Sequence, residues 1–115
     1  MAGKSILKPY KIVNAETMGG SVTSGAIPID RLDNVGIQLQ WTGTPTGDFY
    51  VDGRVHDDAP WTELTLSTAV AAAGSASDAL INLSGVPYQD LRLRYVRTSG
   101  TGSLNAWATA KQLGG

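Results

Sequence analysis

The single histidine and the carboxylates beside it are the residues best suited to chemistry. His56 lies four residues after Asp52 and directly precedes Asp57 and Asp58. An imidazole nitrogen and carboxylate oxygens can together bind a divalent cation, and the carboxylates can support the histidine as a general base. However, two aspartates followed by Ala59-Pro60 are also typical of a polar turn after a strand. We predict the turn and no metal site, because one histidine without cysteines is too few ligands for zinc.

Enzymatic chemistry finds little support elsewhere in the chain. The sequence has no cysteine, which excludes disulfides, zinc–thiolate sites, iron–sulfur clusters and cysteine nucleophiles. It has no Gly-x-Ser-x-Gly elbow, and its only glutamates, Glu16 and Glu63, lie in unrelated segments. The glycine-rich pieces at 18–21 and 99–103 lack a phosphate-binding lysine and are interpreted as turns. The sequence therefore predicts a protein that is not an enzyme, with no catalytic residue and no cofactor.

Two arginines on one predicted strand are candidates for an interface. Arg92 and Arg94 are two residues apart, so their side chains project from the same face of the strand. One interpretation is a solvated face. The other is an interface, where arginine is enriched because its guanidinium pairs well with carboxylates. The complementary acidic set would be Asp48, Asp52, Asp57 and Asp58, and such segregated charge would let subunits dock head to tail.

Trp107 is a further interface candidate, because it falls on the polar register of the last predicted strand. Its neighbours on that register are Asn105 and Thr109, and the opposite face carries only alanines at 106, 108 and 110. The alternation predicts that Trp107 points outward. An outward tryptophan is either partly covered by a loop or an anchor for a partner or a sugar.

The N-terminal segment carries three lysines, Lys4, Lys8 and Lys11, among few apolar residues. We interpret residues 1–15 as a basic arm or an edge strand. As an arm, the segment is either a disordered tail or a segment that becomes ordered against a neighbour or an anionic surface. Three lysines alone give only weak affinity for nucleic acid, so all three are retained as interface candidates.

Composition limits the class of protein. The chain has 115 residues, of which 42% are hydrophobic and 17% charged, and its net charge is −1. This length predicts one domain, and this composition is too apolar for a disordered chain. The charge argues against a general nucleic-acid binder, and we expect no specific nucleic-acid partner. No run approaches 18 apolar residues and no secretory signal is evident, so we expect no membrane segment and synthesis in the cytoplasm.

Alternation of apolar and polar residues predicts strands along most of the chain. In 35–41, Val35, Ile37, Leu39 and Trp41 form one apolar face, and 49–55 repeats the pattern with Phe49, Val51 and Val55. We interpret the intervening 43–47 as a hairpin loop that joins these two strands in antiparallel pairing. Further strands are predicted near 6–13, 22–29, 61–67, 78–84, 90–98 and 102–113, and the alanine-rich 68–77 is interpreted as a flexible loop.

These elements predict an all-β, single-domain antiparallel β-sandwich, jelly-roll-like, with about seven to eight strands. The sandwich itself would span residues 16–115. Trp41 is expected in the core, since it continues the apolar register, whereas Trp61 fits either environment.

Part of the sequence resembles small virion structural proteins of tailed bacteriophages. The resemblance is carried by 37–47 (IQLQWTGTPTG), 61–64 (WTEL), 81–83 (INL), 88–95 (YQDLRLRY) and 98–106 (TSGTGSLNA). In such proteins the last two motifs form a final hairpin. The alanine-rich segment 68–77 departs from the resemblance, because a short polar loop is expected at this position.

The resemblance implies a β-sandwich that decorates or cements the capsid surface. The implied partners are the major capsid protein and the protein itself, as a homodimer or homotrimer, with the virion as its location. No active-site motif is implied. Two alternatives remain open. One is a carbohydrate- or receptor-binding module, with a glycan bound on an exposed aromatic ring from Trp107, Trp61 or Tyr50, and the other is a tail or baseplate component.

Overall fold

The computed structural model of the protein describes residues 6–29, 34–66, 70–73, 77–84 and 88–111. Within these ranges the chain forms ten β-strands and no helix. The strands are β1 (Ile6–Thr17), β2 (Val22–Thr23), β3 (Ile27–Pro28), β4 (Asn34–Gly43), β5 (Thr46–Arg54), β6 (Thr62–Glu63), β7 (Val70–Ala72), β8 (Asp78–Ser84), β9 (Asp90–Ser99) and β10 (Gly102–Lys111). No helix in the described part of the chain is long and apolar enough to cross a membrane.

The strands form two antiparallel sheets. Sheet A has the order β1-β10-β4-β8, and sheet B has the order β2-β9-β5-β6, with β3 also on β9 and β7 also on β5. If β2 with β3 and β6 with β7 are each counted as one interrupted strand, every sheet has four strand positions. Six of the nine connections pass from one sheet to the other. This is a jelly-roll sandwich, which confirms the predicted fold class.

The core lies between the sheets and follows the predicted alternation. Val35, Ile37 and Leu39 are at most 3% exposed. Trp41 is 2% exposed, as predicted, and its ring lies 5.4 Å from that of Phe49. The small alanines at 106, 108 and 110 are also buried, and they pair with β4 in sheet A. Val55 is the exception to the alternation, because β5 ends at Arg54 and leaves Val55 63% exposed.

The predicted hairpin between 35–41 and 49–55 is wrong. Strand β4 lies in sheet A and β5 in sheet B, so the two strands stack across the core instead of pairing. Only residues 44 and 45 link β4 to β5. The chain turns at Gly43, whose φ of +82° favours glycine. A Cβ at Gly43 would lie 2.5 Å from the carbonyl oxygen of Thr101. Two strands that each have one apolar face can bury it equally well side by side or face to face, so alternation does not distinguish the arrangements.

The final hairpin implied by the resemblance is also wrong, because β9 belongs to sheet B and β10 to sheet A. The turn at 99–102 exists, but it is a second corner between the sheets. The two corners pack on each other: the backbone N–H of Thr44 donates to the carbonyl of Thr101 at 2.9 Å. Gly100 has a φ of +77°, and a Cβ there would collide with the carbonyl oxygen of Thr44.

Two expectations about the edge of sheet B that is formed by β6 and β7 are corrected. The alanine-rich segment is not simply a loop, since β7 pairs with Gly47–Phe49 and buries Ala72 completely. The strand predicted for 61–67 shrinks to the two residues of β6, which pair with β5 at Asp52 and Gly53. Interrupted edge strands carry too few residues for alternation to define them.

The N-terminal segment enters sheet A through β1, which pairs with β10 through three register shifts. Ala15 in this strand has a φ of +50°. The strand continues past residue 15 to Thr17 without a break. Lys4 lies outside the described residues, and Lys8 lies within β1.

Candidate functional site

The outer face of sheet B is a network of charged and aromatic side chains. Residues of β5 and β9 that point away from the core meet as cross-strand pairs: Asp52 opposite Arg92, Tyr50 opposite Arg94, and Arg54 opposite Asp90. Trp61 and Glu63 join from the adjacent segment. We call this set the arginine face: Tyr50, Asp52, Arg54, Trp61, Glu63, Asp90, Arg92 and Arg94.

Asp52 is the centre of the arginine face. Its side chain is 3% exposed and accepts hydrogen bonds from Nε of Arg92 at 2.8 Å and from Nε of Arg94 at 2.8 Å. A third bond from Arg94, at 3.1 Å, makes that pair bidentate. Burial alone would raise the pKa of Asp52, but the hydrogen bonds and charges of both arginines outweigh it and hold the pKa below its usual value.

The rest of the face extends this network. Arg94 also donates to Glu63 at 2.8 Å, and its bonds to the two carboxylates raise its own pKa, the bond to Asp52 most. Arg54 donates to Asp90 at 3.0 Å. The guanidinium carbons of Arg54 and Arg92 lie 4.3 and 4.7 Å from the ring centroid of Trp61. These are cation–π distances, so the ring stabilises two of the three arginines.

The arginine face is balanced within one subunit. Its three arginines, Arg54, Arg92 and Arg94, are matched by three carboxylates, Asp52, Glu63 and Asp90. Asp52, which the sequence placed in a separate acidic set, therefore lies directly against both candidate arginines. The side chains of Arg92 and Arg94 remain 27% and 26% exposed. The role of Arg92 and Arg94 at an interface stays a prediction. Asp52, however, is not available to bind the arginines of another subunit, because it already pairs with those of its own chain.

The outer face of sheet A is different in character. Along one row, Trp107 of β10 lies opposite Gln38 of β4, which lies opposite Leu80 of β8. Trp107 is half-buried, Gln38 is exposed, and Leu80 is 54% exposed. The Nζ atom of Lys11 lies 5.3 Å from the Trp107 ring centroid, so the structure brings two of the predicted interface residues together. We call this set the amide face: Gln38, Gln40, Leu80, Asn82, Asn105 and Trp107.

Hydrogen bonds to main-chain atoms hold part of the amide face in place. The side-chain oxygen of Asn105 accepts from the backbone N–H of Ala15 at 2.9 Å. Gln38 donates its amide to the carbonyl of Ala79 at 3.3 Å. The named members of this face carry no formal charge. The face is thus an amide-rich surface with one large aromatic ring, and Lys11 and Asp78 are the charged residues that lie against its named members.

The histidine and its neighbours form a turn. The backbone N–H of Ala59 donates to the carbonyl of His56 at 3.0 Å, and that of Asp58 donates to His56 Nδ1 at 3.1 Å. Nδ1 also lies 3.0 Å from Asp57. All three side chains are exposed, and their ligand atoms lie within 4.8 Å of one another. Asp52 does not join them, because it faces the arginines.

Sequence reasoning missed three members of the arginine face: Arg54, Glu63 and Asp90. One signal was present. The motif Asp-x-Arg occurs at 52–54 and again at 90–92. Two such motifs paired antiparallel place each acid opposite a base. That signal becomes readable only when 49–54 and 90–95 are known to be neighbours.

Comparisons with known proteins agree with this fold. No protein-family model matches the chain, and no curated protein matches it. Among solved structures, the SPBc2 prophage-derived protein YomS is similar, with a TM-score of 0.68 over 97% of both chains at 7% identity. A chain in the structure of infectious bursal disease virus, Gx strain, has a TM-score of 0.58 at 11% identity; the match covers 97% of this chain and 33% of the viral one. At these identities the likeness shows a shared jelly-roll fold.

Proposed function

We propose that the protein is a non-enzymatic structural component of a bacteriophage virion. The observation that carries this proposal is the full-length similarity of fold to a prophage-derived protein, which covers 97% of each chain. A viral chain that contains the same fold as one third of its length supports it. The motifs that resemble small phage virion proteins support it independently of the fold.

Within the virion, the role that best fits the geometry is decoration or cementing of the capsid surface. A cement protein needs a rigid body and complementary surface but no reactive group. The arginine face supplies rigidity, since buried Asp52 ties β5 to β9 and Glu63 adds a tie to β6. Weak contacts suffice, because the symmetry of a lattice repeats each one many times. The partner would be the major capsid protein.

The amide face is the surface we assign to the capsid contact. Interfaces are depleted of charge and enriched in tryptophan, and this face has Trp107 among neutral amides. Lys11 beside the ring adds one cation at its border. The arginine face is less suited, because its guanidinium groups already have carboxylate partners in the same subunit.

The test is immunogold electron microscopy of purified virions from cells that express this chain, with antibody raised against the isolated protein. Label spread over the heads supports the decoration role, and label confined to tails moves the protein to the tail or baseplate. Absence of label and of the protein from the virions by mass spectrometry overturns the proposal. If the wild-type protein binds to the heads, Trp107→Ala should lower the number of copies bound per head several-fold. Tyr50→Ala, on the opposite face of the sandwich, should not.

A glycan-binding module is the second candidate, and one observation favours it. Trp107 is half-buried on the outer face, and Asn105 lies beside it on the same strand face. An aromatic ring flanked by amides is a surface on which sugar rings stack. Trp61 suits this role less, because guanidinium groups already contact its ring. A glycan array probed with wild type and Trp107→Ala decides: binding lost in the variant supports this candidate, and no wild-type binding removes it.

A further inference from the structure

We propose that the outer edge of β8 is a dimerisation surface, and that a second copy of this chain pairs with it antiparallel across a two-fold axis. The four sheet edges of the sandwich differ in how well they are protected against strand pairing. Exposed edges normally carry short strands, prolines, lysines or bulges, because an unprotected edge adds strands from other chains. Only one of the four lacks all of these features within the described residues.

Three edges are protected. In sheet B, β2 and β3 have two residues each, and β6 and β7 have two and three. In sheet A, β1 contains Pro9 between two lysines, and three register shifts break its pairing with β10. These features make β1 a poor template for a further strand, although it has twelve residues.

Strand β8 is the exception. It has seven residues, Asp78–Ser84, without proline or lysine, and it pairs with β4 in one unbroken register. It is the last strand of its sheet in the part of the chain that the structure describes. Asp78 is the single charged residue between 67 and 87. Leu80 on this strand is 54% exposed. Depletion of charge and exposure of a large apolar side chain are features of homodimer interfaces.

The backbone at this edge points in the direction that pairing requires. The N–H of Trp41 donates to the carbonyl of Ser77 at 2.8 Å. In an antiparallel pair, directly opposite residues alternate between hydrogen-bonded and non-hydrogen-bonded pairs. The residues of β8 that bond to β4 are therefore 79, 81 and 83. The N–H and C=O groups of Leu80 and Asn82 point away from β4, toward the edge.

A two-fold axis at Ile81 gives the register with the longest overlap. It pairs Leu80 of one copy with Asn82 of the other through their edge-facing groups, and it pairs Asp78 with Ser84, so no like charges meet. The half-buried Ala79 and Leu83 lie opposite each other on the core side and continue the core across the axis. The two sheets A then form one eight-stranded sheet, and the amide faces of both copies lie on its same side.

Sedimentation equilibrium of the full chain at about 100 µM tests the proposal. We expect the wild type to be a dimer of twice 12.0 kDa. Leu80→Pro should give a folded monomer, because the N–H of Leu80 makes no bond to β4. If that variant does not fold, Leu80→Lys decides, since a lysine on the edge also opposes pairing. Gln40→Lys adds the same charge to the same face, away from the edge, and should remain a dimer.

Cross-linking tests the register directly, since the chain has no cysteine of its own. In the proposed register the Cα atoms of residues 80 and 82 of opposite copies lie about 5.5 Å apart, within disulfide reach. Oxidation of the Leu80→Cys/Asn82→Cys double variant should give a covalent dimer on a non-reducing gel. Either single variant should not, because its two cysteines would be about 8 Å apart.

A monomeric or trimeric wild type, or a dimer that persists in both Leu80 variants, overturns the proposal. So does a double-cysteine variant that cross-links no better than the single variants. These results are independent of whether the protein is found on virions, so the dimer and the proposed function stand or fall separately.

Discussion

Asp52 and Arg94 form a bidentate ion pair on the outer face of sheet B. Nε of Arg94 lies 2.8 Å from one carboxylate oxygen and its terminal nitrogen lies 3.1 Å from the other. The carboxylate is almost completely buried, whereas the guanidinium is 26% exposed. Arg92 completes the set from the same strand. All three hydrogen bonds to this buried carboxylate come from the two arginines, so substitution of Asp52 tests how much the network stabilises the sandwich.

Asp52→Asn should destabilise the fold by about 3 kcal/mol, because loss of one partner leaves a buried network uncompensated. The change keeps the size of the side chain but removes its charge. The free energy of unfolding from urea titration at pH 7 is the measurement. Asp48→Asn, at an exposed position on the same strand, is the matched control and should change little. Equal losses in the two variants would mean that the arginine pairs contribute nothing specific.

Asp52 should also contribute to the pH dependence of stability. Its pKa is lowered in the folded state, so the unfolded chain takes up a proton first as the pH falls. The contribution is complete above the ordinary aspartate pKa of about 3.9 and disappears as the pH falls through the lowered value. Urea titrations between pH 6 and pH 2 should show a shallower acid loss in Asp52→Asn than in the wild type. Parallel curves would contradict the assignment.

Gly100→Ala should be among the most damaging single substitutions. Gly100 has a φ of +77°, and a Cβ there would collide with the carbonyl oxygen of Thr44 in the neighbouring corner. Because that neighbour is backbone, the corner itself must move, and we expect a loss of about 3 kcal/mol. Gly25→Ala, where a Cβ would meet no atom within 4 Å, is the control. Thermal unfolding of both variants measures the difference, and similar melting temperatures would contradict the prediction.

Tyr95→Phe should stabilise the protein. The ring of Tyr95 packs in the core 5.0 Å from that of Phe49, and burial raises the pKa of its hydroxyl. No group in the described part of the chain hydrogen-bonds that hydroxyl. A buried polar group without a partner costs about 1–3 kcal/mol, so its removal should raise the free energy of unfolding by about 1 kcal/mol. Tyr50→Phe, on the outer face, is the control; a loss of stability in Tyr95→Phe would show that the hydroxyl has a partner.

Much of the local structure was readable from the sequence. Alternation along 35–41 identified a strand and its buried face, with Trp41 in the core. The spacing of Arg92 and Arg94 placed both on one face, and the position of Trp107 opposite small alanines placed it outside. These inferences succeeded because the side chains of a strand alternate between its two faces, so each depends only on neighbours along the chain.

The tertiary structure alone decided which strands are neighbours. Alternation shows that a strand has one buried face. It does not show whether the next strand pairs with it in the same sheet or packs against it from the opposite sheet. Alternation therefore predicts a hairpin at Gly43, and the resemblance implies a second one at Gly100, although both links carry the chain from one sheet to the other. The partners of Asp52 are likewise decided by which strands are neighbours. Its sequence neighbour His56 suggested a shared site, but its actual partners come from β9, forty and forty-two residues away, because strand pairing brings together residues that are distant in the chain.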